Sequence, residues 1–210
     1  KARRYEESID QLEFTQKLAR ELNMLTPSIE ARIINNFSVA YSRLGKKEEA
    51  LAYGLQCLEI YQSYYPSNHP SVIQAYINIG EFYRDLGKDQ LGLEMINEAQ
   101  THLDASQPAL LLNRIDLARS FALFCANEGM YQKAMDLFDA CIQNIRSLEG
   151  VLQEKDAQLQ FREKFADIYP AAIEASYQLA SQDPRFPLLD KVWYIAEQAK
   201  SALLNQSLHE

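Results

Sequence analysis

The chain has few cysteines, few glycines and prolines, and no long apolar run. Its 210 residues include three Cys, seven Gly and seven Pro. A small, odd number of cysteines argues against a disulfide framework and favours a reducing cytoplasm with buried thiols. No apolar stretch approaches the roughly 20 residues that cross a bilayer, and none after the N-terminus could serve as a signal peptide. We therefore expect a cytoplasmic protein without a membrane segment.

Positive charge is also scarce. The formal net charge is -8, because 21 Lys and Arg face 29 Asp and Glu. Non-specific nucleic-acid binding and attachment to an anionic membrane both need a basic surface. The composition therefore predicts neither a nucleic-acid partner nor a membrane partner. The first residue is Lys1 rather than Met, so we expect the natural chain to start earlier.

What the chain does have is an internal repeat. Gly45, Gly87 and Gly129 lie in "RLGKKEEA", "DLGKDQLG" and "NEGMYQKA", each 42 residues after the one before. Pro66 and Pro108 are also 42 residues apart, and proline would break a helix between repeats. One step back from Gly45 reaches "KARRYEES", so we expect the chain to begin at the turn inside a repeat.

Each repeat unit has the pattern of a helix, a tight turn and a second helix. Apolar residues recur three and four positions apart before each glycine, as one helical face requires. They are Ile33, Ile34, Phe37, Ala40, Tyr41 and Leu44, then Ile73, Tyr76, Ile79, Tyr83 and Leu86, then Leu111, Ile115, Ala118, Phe121 and Cys125. The second helices carry small residues where close packing is expected, namely Ala50, Cys57, Gly92, Ala99, Ala134 and Cys141.

This pattern resembles the tetratricopeptide repeat (TPR) family. With the turn glycines aligned, Phe37, Ile79 and Phe121 take the large apolar site, and Tyr41 and Tyr83 take the aromatic site. The departures from the family are Cys125, Gly92 and Gly54. The common TPR period is about 34 residues, and the longer period here is similar to that of kinesin light chains. The resemblance implies an all-α, right-handed superhelical solenoid of antiparallel helix pairs, with about seven to nine helices.

The 42-residue rhythm ends before the C-terminal part. We predict a partial repeat at 1–28, full repeats at about 29–66, 71–107 and 109–147, and a non-standard helical pair at 148–210 that leads to a downstream domain. The first helix of the pair has an apolar face and a kink at Pro170. That face comprises Phe161, Phe165, Ile168, Ile173, Tyr177 and Leu179. The last helix has an inner face of Val192, Ile195, Ala196, Ala199, Leu203 and Leu204.

The last helix also carries a motif, "VWYIAEQAKSALLNQSL". It resembles the segment that precedes the caspase-like protease domain in bacterial TPR proteins of the CHAT class. The residues in register are Ile195, Ala196, Glu197, Lys200, Ser201, Leu203 and Leu204, whereas Gln198 replaces the usual basic residue. The resemblance implies a bacterial protein whose protease domain follows the repeats.

The residues that could carry chemistry are few. Cys57, Cys125 and Cys141 fall on repeat positions, so we predict buried, inert thiols. The three histidines, His69, His102 and His209, lack metal-ligand spacing, and no glycine-rich phosphate loop is present. We therefore expect this chain to have no catalytic site, no metal and no cofactor.

A groove lined by the first helices is the predicted binding surface. Its residues lie one helical face away from the apolar set: Arg32, Asn35, Asn36, Val39 and Arg43, then Gln74, Ile77, Asn78, Glu81 and Arg84, then Arg119, Ser120 and Leu123. Asn36 and Asn78 occupy the same repeat position, and an amide can both donate to and accept from a peptide backbone. Arginines bind carboxylates bidentately, so an acidic or C-terminal peptide is the hypothesis. The alternative is a set of solvated surface charges.

The sequence thus predicts a protein–protein interaction scaffold, the sensing part of a CHAT protein whose repeats also contact its own downstream domain. A stand-alone TPR adaptor or peptide receptor is the alternative. The tyrosine-rich segment "YQSYYP" (Tyr61 to Pro66) also has two interpretations. It is either a helix end that packs on the next repeat or an exposed aromatic contact site.

Overall fold

The computed structural model describes residues 2–103, 110–149 and 164–203. All regular structure in these ranges is helical, which confirms the predicted all-α architecture. The nine helices of the described ranges are α1 (Ala2–Glu21), α2 (Pro27–Arg43), α3 (Lys47–Tyr64), α4 (Pro70–Asp85), α5 (Asp89–His102), α6 (Leu111–Asn127), α7 (Tyr131–Glu149), α8 (Ile168–Gln182) and α9 (Leu188–Leu203). The chain forms two compact units, residues 1–117 and 118–210, that divide within α6.

Some of the residues singled out above lie outside this description. They are Pro108, Phe161, Leu204 and His209, together with the side chains of Lys200, Ser201 and Leu203. The predicted boundary after residue 147 falls inside α7, and the predicted division into repeats and a C-terminal pair stays a prediction.

The first unit is a stack of helix pairs. Helix α2 packs on α3 and α4 packs on α5, while α1 contacts α2 and α3 contacts α4. Ile9 of α1 joins Ile33, Phe37 and Ala40 of α2 in one buried cluster. The apolar spacing read from the sequence therefore does define the face that α2 buries.

The three repeated glycines end their helices in the same way. Gly45, Gly87 and Gly129 have φ of +75°, +70° and +74°, a left-handed conformation that favours glycine because it has no Cβ. The residue after each glycine donates its backbone N–H to the carbonyl five positions earlier, at 2.8 to 3.0 Å. This is the Schellman C-cap. Asn23, with φ of +53°, takes the same role at the end of α1, which the glycine pattern did not show.

Two helices of the first unit begin with a cap and a proline. Thr26 caps α2 by accepting from the backbone N–H of Ile29, and Pro27 follows it. His69 caps α4, since its Nδ1 accepts from the backbone N–H of Ser71 at 3.2 Å. Proline suits the first helical position because the N–H it lacks has no partner within the helix. These caps fix where the first helix of each pair begins.

Close contact between α4 and α5 depends on glycine. A Cβ built on Gly80 would lie 2.9 Å from Cδ1 and Cγ1 of Ile96 and 3.1 Å from the carbonyl oxygen of Gly92. Gly54 of α3 similarly leaves room for Phe82, whose Cε2 would lie 3.1 Å from an added Cβ. The two glycines that depart from the family pattern, Gly54 and Gly92, therefore lie at close helix contacts.

The second unit is built differently. Helix α8 packs on both α7 and α9, and its buried residues are Ile168, Tyr169, Ala172, Ala175, Ser176 and Leu179. Tyr177 lies outside this set and is 52% exposed. The expected inclusion of Tyr177 in the apolar face is therefore wrong.

Two further details of the C-terminal helices differ from expectation. Residues 165–167 form a turn, and α8 begins at Ile168. Pro170 thus lies in the first turn of α8, where proline is tolerated, rather than at a kink in a described helix. In α9, Ile195 is fully buried as predicted, but Ala196 is exposed.

Replacing Gly80 with alanine tests the close contact between α4 and α5. Alanine favours a helix over glycine by about 1 kcal/mol, but the backbone oxygen of Gly92 cannot yield as a side-chain end can. We expect Gly80→Ala to lower the free energy of unfolding by about 1–3 kcal/mol, measured by urea denaturation. Asn97→Ala, at an exposed position of α5, is the control and should be neutral or slightly stabilising. Equal or greater stability of Gly80→Ala would contradict the contact.

Candidate functional site

The predicted groove residues of α2 form an exposed stripe. Arg32, Asn36, Val39 and Arg43 are all exposed, and their spacing places them on one side of the helix. Val39 retains 38% of its surface, so the helix also exposes an apolar side chain there. We call these four residues the α2 stripe.

The corresponding residues of α4 are less accessible. Gln74, Asn78, Glu81 and Arg84 are half-buried, and so is Asn35 of α2. Ile77 is 1% exposed, so it belongs to the core of the first unit rather than to a binding surface. The predicted groove is therefore open at α2 and partly closed at α4.

In α6 the same repeat positions are mostly covered. Ser120 is fully buried and Leu123 is half-buried. Arg119 retains 14% of its side-chain surface, and its Nη1 lies 2.6 Å from Oδ2 of Asp167. This arginine is already paired with a carboxylate of its own chain, so it is not placed to hold a ligand.

A chain of side-chain amides crosses three first helices. Asn113 of α6 donates from Nδ2 to Oε1 of Gln74 at 3.3 Å and to the backbone oxygen of Pro70 at 3.0 Å. Gln74 donates to Oδ1 of Asn78 at 3.0 Å, and Asn78 donates to Oδ1 of Asn35 at 3.3 Å. Each amide donates to the next, so the bonds polarise one another. We call Asn113, Gln74, Asn78 and Asn35 the amide chain.

The amide chain ends beside the α2 stripe. Asn35 accepts from Asn78, but among the described residues its own Nδ2 donates to none. Asn35 lies at one side of the stripe, within about one helical turn of Arg32 and Asn36. The structure thus places an unused donor next to exposed side chains. Asn113 was not predicted, because α6 contains several polar residues and the sequence pattern does not single out this one.

Positive charge concentrates on the α2 stripe. Arg84 lies 3.6 Å from Oδ1 of Asp85 and retains 16% of its side-chain surface, and Arg119 is paired as described. By contrast, Arg32 and Arg43 form no ion pair with any residue in the described ranges. Of the four arginines predicted to line the groove, these two are exposed and not neutralised.

Two of the three tyrosines in the tyrosine-rich segment pack inward. Tyr61 is 6% exposed, and the Tyr65 ring stacks on His69 at 3.9 Å. The hydroxyl of Tyr65 lies 2.9 Å from Oγ of Ser28, which links α2 to the loop before α4. Only Tyr64 of this group is largely exposed, at 58%. The packing interpretation therefore describes Tyr61 and Tyr65, and the contact interpretation remains for Tyr64.

The cysteines are buried, as predicted. All three are free thiols with little solvent exposure. Burial raises the pKa of Cys57 to about 12, and a hydrogen bond with Tyr61 only partly opposes it. Burial also raises the pKa of Cys125. A thiol that holds its proton at neutral pH is a poor nucleophile, so these groups contribute packing.

The described ranges contain neither a metal-binding cluster nor a helix that could span a membrane. No cluster of three or more His, Cys, Asp or Glu side chains there could hold a metal ion. No helix in the same part of the chain is both long enough and apolar enough to cross a bilayer.

The sequence matches a known family over part of its length. Residues 30–105 match the sequence model of the tetratricopeptide repeat, which covers helices α2 to α5 and supports the resemblance noted above. No curated protein matches the chain with significant similarity.

Solved structures with the same fold extend over nearly the whole chain. One is the crystal structure of BtubC (BKLC) from P. vanneervenii, which superposes with a TM-score of 0.64 at 13% sequence identity. The matched region covers 97% of this chain and 74% of the BtubC chain. A second is a kinesin-light-chain candidate of Podosopora anserina that has nearly identical TPR-like repeats. It superposes with a TM-score of 0.51 at 23% sequence identity, and the match covers 95% of this chain and 92% of that one. A point variant of that protein superposes with a TM-score of 0.50 at 20% sequence identity, and the match covers 88% of this chain and 90% of that one. Together these confirm the TPR solenoid fold.

Removing the side chain at one end of the amide chain tests whether the amide chain stabilises the fold. Asn113 is 5% exposed, and Asn113→Ala would leave the oxygens of Pro70 and Gln74 without this donor. We expect a loss of about 1–3 kcal/mol in the free energy of unfolding, measured by chemical denaturation. Asn36→Ala, at an exposed position, should change it by less than about 0.5 kcal/mol. Similar values for both variants would show that the amide chain does not stabilise the fold.

Alkaline stability tests the buried pair Cys57 and Tyr61. Burial raises the pKa of both to about 12, from 9.0 for the thiol and 10.0 for the phenol. The folded state therefore keeps protons that the unfolded state loses. The resulting stability is complete below about pH 9 and is lost as the pH rises towards about 12.

The measurement is the free energy of unfolding at several alkaline pH values. We expect its decline with pH to be shallower in Cys57→Ala and in Tyr61→Phe, since each variant removes one titrating group. Parallel declines in the wild type and both variants would contradict the assignment, whatever their absolute stability.

Proposed function

We propose that this chain is a protein-recognition module that binds an extended segment of another polypeptide across α2 and α4. Tetratricopeptide repeats generally mediate protein–protein interaction, and proteins with this fold are generally non-catalytic scaffolds. The observation that carries the proposal is the unused Nδ2 donor of Asn35, held in place by the amide chain at the edge of the α2 stripe.

The chemistry of the surface selects the ligand. An extended peptide presents backbone carbonyls, and a preorganised amide donor can bind one of them without losing side-chain entropy. Val39 offers an apolar contact on the same stripe. Arg32 and Arg43 flank it and are not neutralised, so they favour a segment with carboxylates. The ligand is thus an acidic peptide segment or a C-terminus.

The C-terminal motif supports a regulatory setting for this module. The segment "VWYIAEQAKSALLNQSL" resembles the junction that precedes the caspase-like domain of CHAT proteins, and α9 is the helix that carries its first part. In such a protein, partner binding on the repeats would control a protease domain downstream. Reading the coding region beyond Glu210 tests this: an α/β domain with His and Cys motifs supports it, and its absence favours the stand-alone adaptor.

Pull-down experiments with matched charge changes test the binding surface. The bait is this protein, the prey is lysate from its own source, and bound proteins are identified by mass spectrometry. Asn35→Asp keeps an acceptor for Asn78 but removes the donor, and Arg32→Glu reverses a charge on the stripe. We expect each variant to lose at least about tenfold of the bound partner, as loss of a charge-assisted hydrogen bond predicts.

The control is Lys88→Glu, which makes the same charge reversal at an exposed position between α4 and α5 that is not part of the stripe. It should retain the partner. If Asn35→Asp and Arg32→Glu bind as the wild type does, the α2 stripe is not the interface. If Lys88→Glu loses the partner equally, only the net charge of the protein matters.

A further inference from the structure

Helix α1 exposes an apolar ridge that the proposed function does not use. Phe14, Leu18 and Leu22 are 66%, 41% and 57% exposed. They lie four positions apart, so they form one row along the surface of the helix. The side of α1 that packs on α2 is a different one, since it carries the buried Ile9 and the partly buried Leu12. We call Phe14, Leu18 and Leu22 the α1 ridge.

The repeat shows that the position of Phe14 faces outward. Gln56 of α3 and Glu98 of α5 lie 42 and 84 residues after Phe14 and are exposed, although α2 packs on α3 and α4 packs on α5. Tyr64 of α3, at the repeat position of Leu22, is 58% exposed. Both ends of the α1 ridge therefore belong to a surface that stays open where a second helix packs on the first helix of its pair. What distinguishes α1 is an aromatic residue where α3 and α5 carry polar ones.

An apolar ridge of this kind fits a second copy of itself. Side chains in the i±4 rows of two helices interdigitate when the helix axes cross at about 50°, which is the commonest packing in globular proteins. When two copies of α1 cross in antiparallel orientation at Leu18, Phe14 of one copy lies near Leu22 of the other, because both are four residues from the crossing point. Every member of the ridge then has an apolar partner, and the contact is the same on both copies, as two-fold symmetry requires.

The charges beside the ridge select the antiparallel orientation. Lys17 and Glu21 lie on one flank of the ridge, are largely exposed, and form an ion pair within the helix at 3.9 Å. In the antiparallel pair the same flanks meet, and Lys17 lies opposite Ala19 of the second copy, about 3 Å along the axis from its Glu21. Each lysine therefore reaches a glutamate of the other copy. In a parallel pair this flank would instead meet the opposite one, where Gln11 and Thr15 are uncharged.

We propose that two copies of this protein associate through the α1 ridge, in an antiparallel two-fold dimer that crosses at Leu18 and contains reciprocal pairs of Lys17 with Glu21. The ridge is small beside the roughly 1,200 Å² or more that stable interfaces bury, so we expect a weak dimer with a Kd of about 10 μM to 1 mM. The contact lies on α1 and does not depend on the function proposed for the α2 stripe.

Sedimentation equilibrium of the full chain, at concentrations from about 10 μM to 1 mM, measures the association. We expect a reversible equilibrium between monomer and dimer. Phe14→Gln introduces the residue type that α3 has at the same repeat position, so α1 should stay folded. It should weaken the dimer at least about tenfold, because a large apolar side chain is lost from the contact. The control is Leu55→Gln, since Leu55 of α3 is 42% exposed and lies outside the ridge. It should leave the dimer unchanged.

Charge exchange tests whether the partner is a second copy in antiparallel orientation. Lys17→Glu and Glu21→Lys each place like charges across the dimer, and each should weaken it at least about threefold. An equal mixture of the two variants should recover at least the affinity of the wild type, because the two variants carry opposite charges at the contact. The variant with both changes should also recover it. Circular dichroism checks that every variant is folded.

Three outcomes would overturn the proposal. The first is a monomer at every concentration up to about 1 mM. The second is a dimer that Phe14→Gln and Leu55→Gln weaken equally, or that neither weakens, which would place the interface elsewhere. The third is no recovery in the mixture of Lys17→Glu and Glu21→Lys, which would exclude the antiparallel contact.

Discussion

The close contact between paired helices is the constraint from which the rest of the first unit follows. Gly80 and Gly92 let the backbones of α4 and α5 approach so far that an added Cβ would lie 3.1 Å from a carbonyl oxygen. The turn glycines hold each pair antiparallel over a short loop. Gly54 of α3 likewise leaves room for Phe82 of α4, so successive pairs also lie close together. Only then can amides on α2, α4 and α6 form hydrogen bonds in sequence.

The amide chain serves stability and recognition through the same atoms. Buried amides are favourable only when their donors and acceptors are satisfied, and Asn113, Gln74 and Asn78 satisfy one another and the backbone of Pro70. Their mutual bonding also orients Asn35, the last member, which sits where the helix surface becomes exposed. A polar network that fixes the register of the helices therefore ends in a donor whose direction is already set.

The α2 stripe differs in charge from the protein as a whole. The α2 stripe carries Arg32 and Arg43 without carboxylate partners in the described part of the chain, although the protein as a whole has a net charge of -8. Such a local difference, rather than the net charge, decides which segments of a partner this surface would accept.

The sequence alone determined the helix pairs, their turns and much of their buried face. Glycines 42 residues apart predict the turns, and apolar residues three and four positions apart predict the buried face of each helix. Both patterns act locally, so they hold whichever element the helix packs against. The family resemblance added the solenoid fold.

The repeat pattern could not show which groove positions stay exposed. Arg32, Gln74 and Asp116 share one repeat position, yet they are exposed, half-buried and buried. Similarly, Ile77 and Ser120 were expected on the surface and are in the interior.

Exposure depends on what covers a helix, and the covering elements are distant in sequence, so only the tertiary structure could decide it. The same holds for Asn78 and Asn35, which are 43 residues apart, and for Lys191 and Asp139, which are 52 apart. The repeat period places equivalent residues at the same point of each helix. Their exposure and contacts also depend on the helix that packs beside them, and that neighbour differs from one repeat to the next.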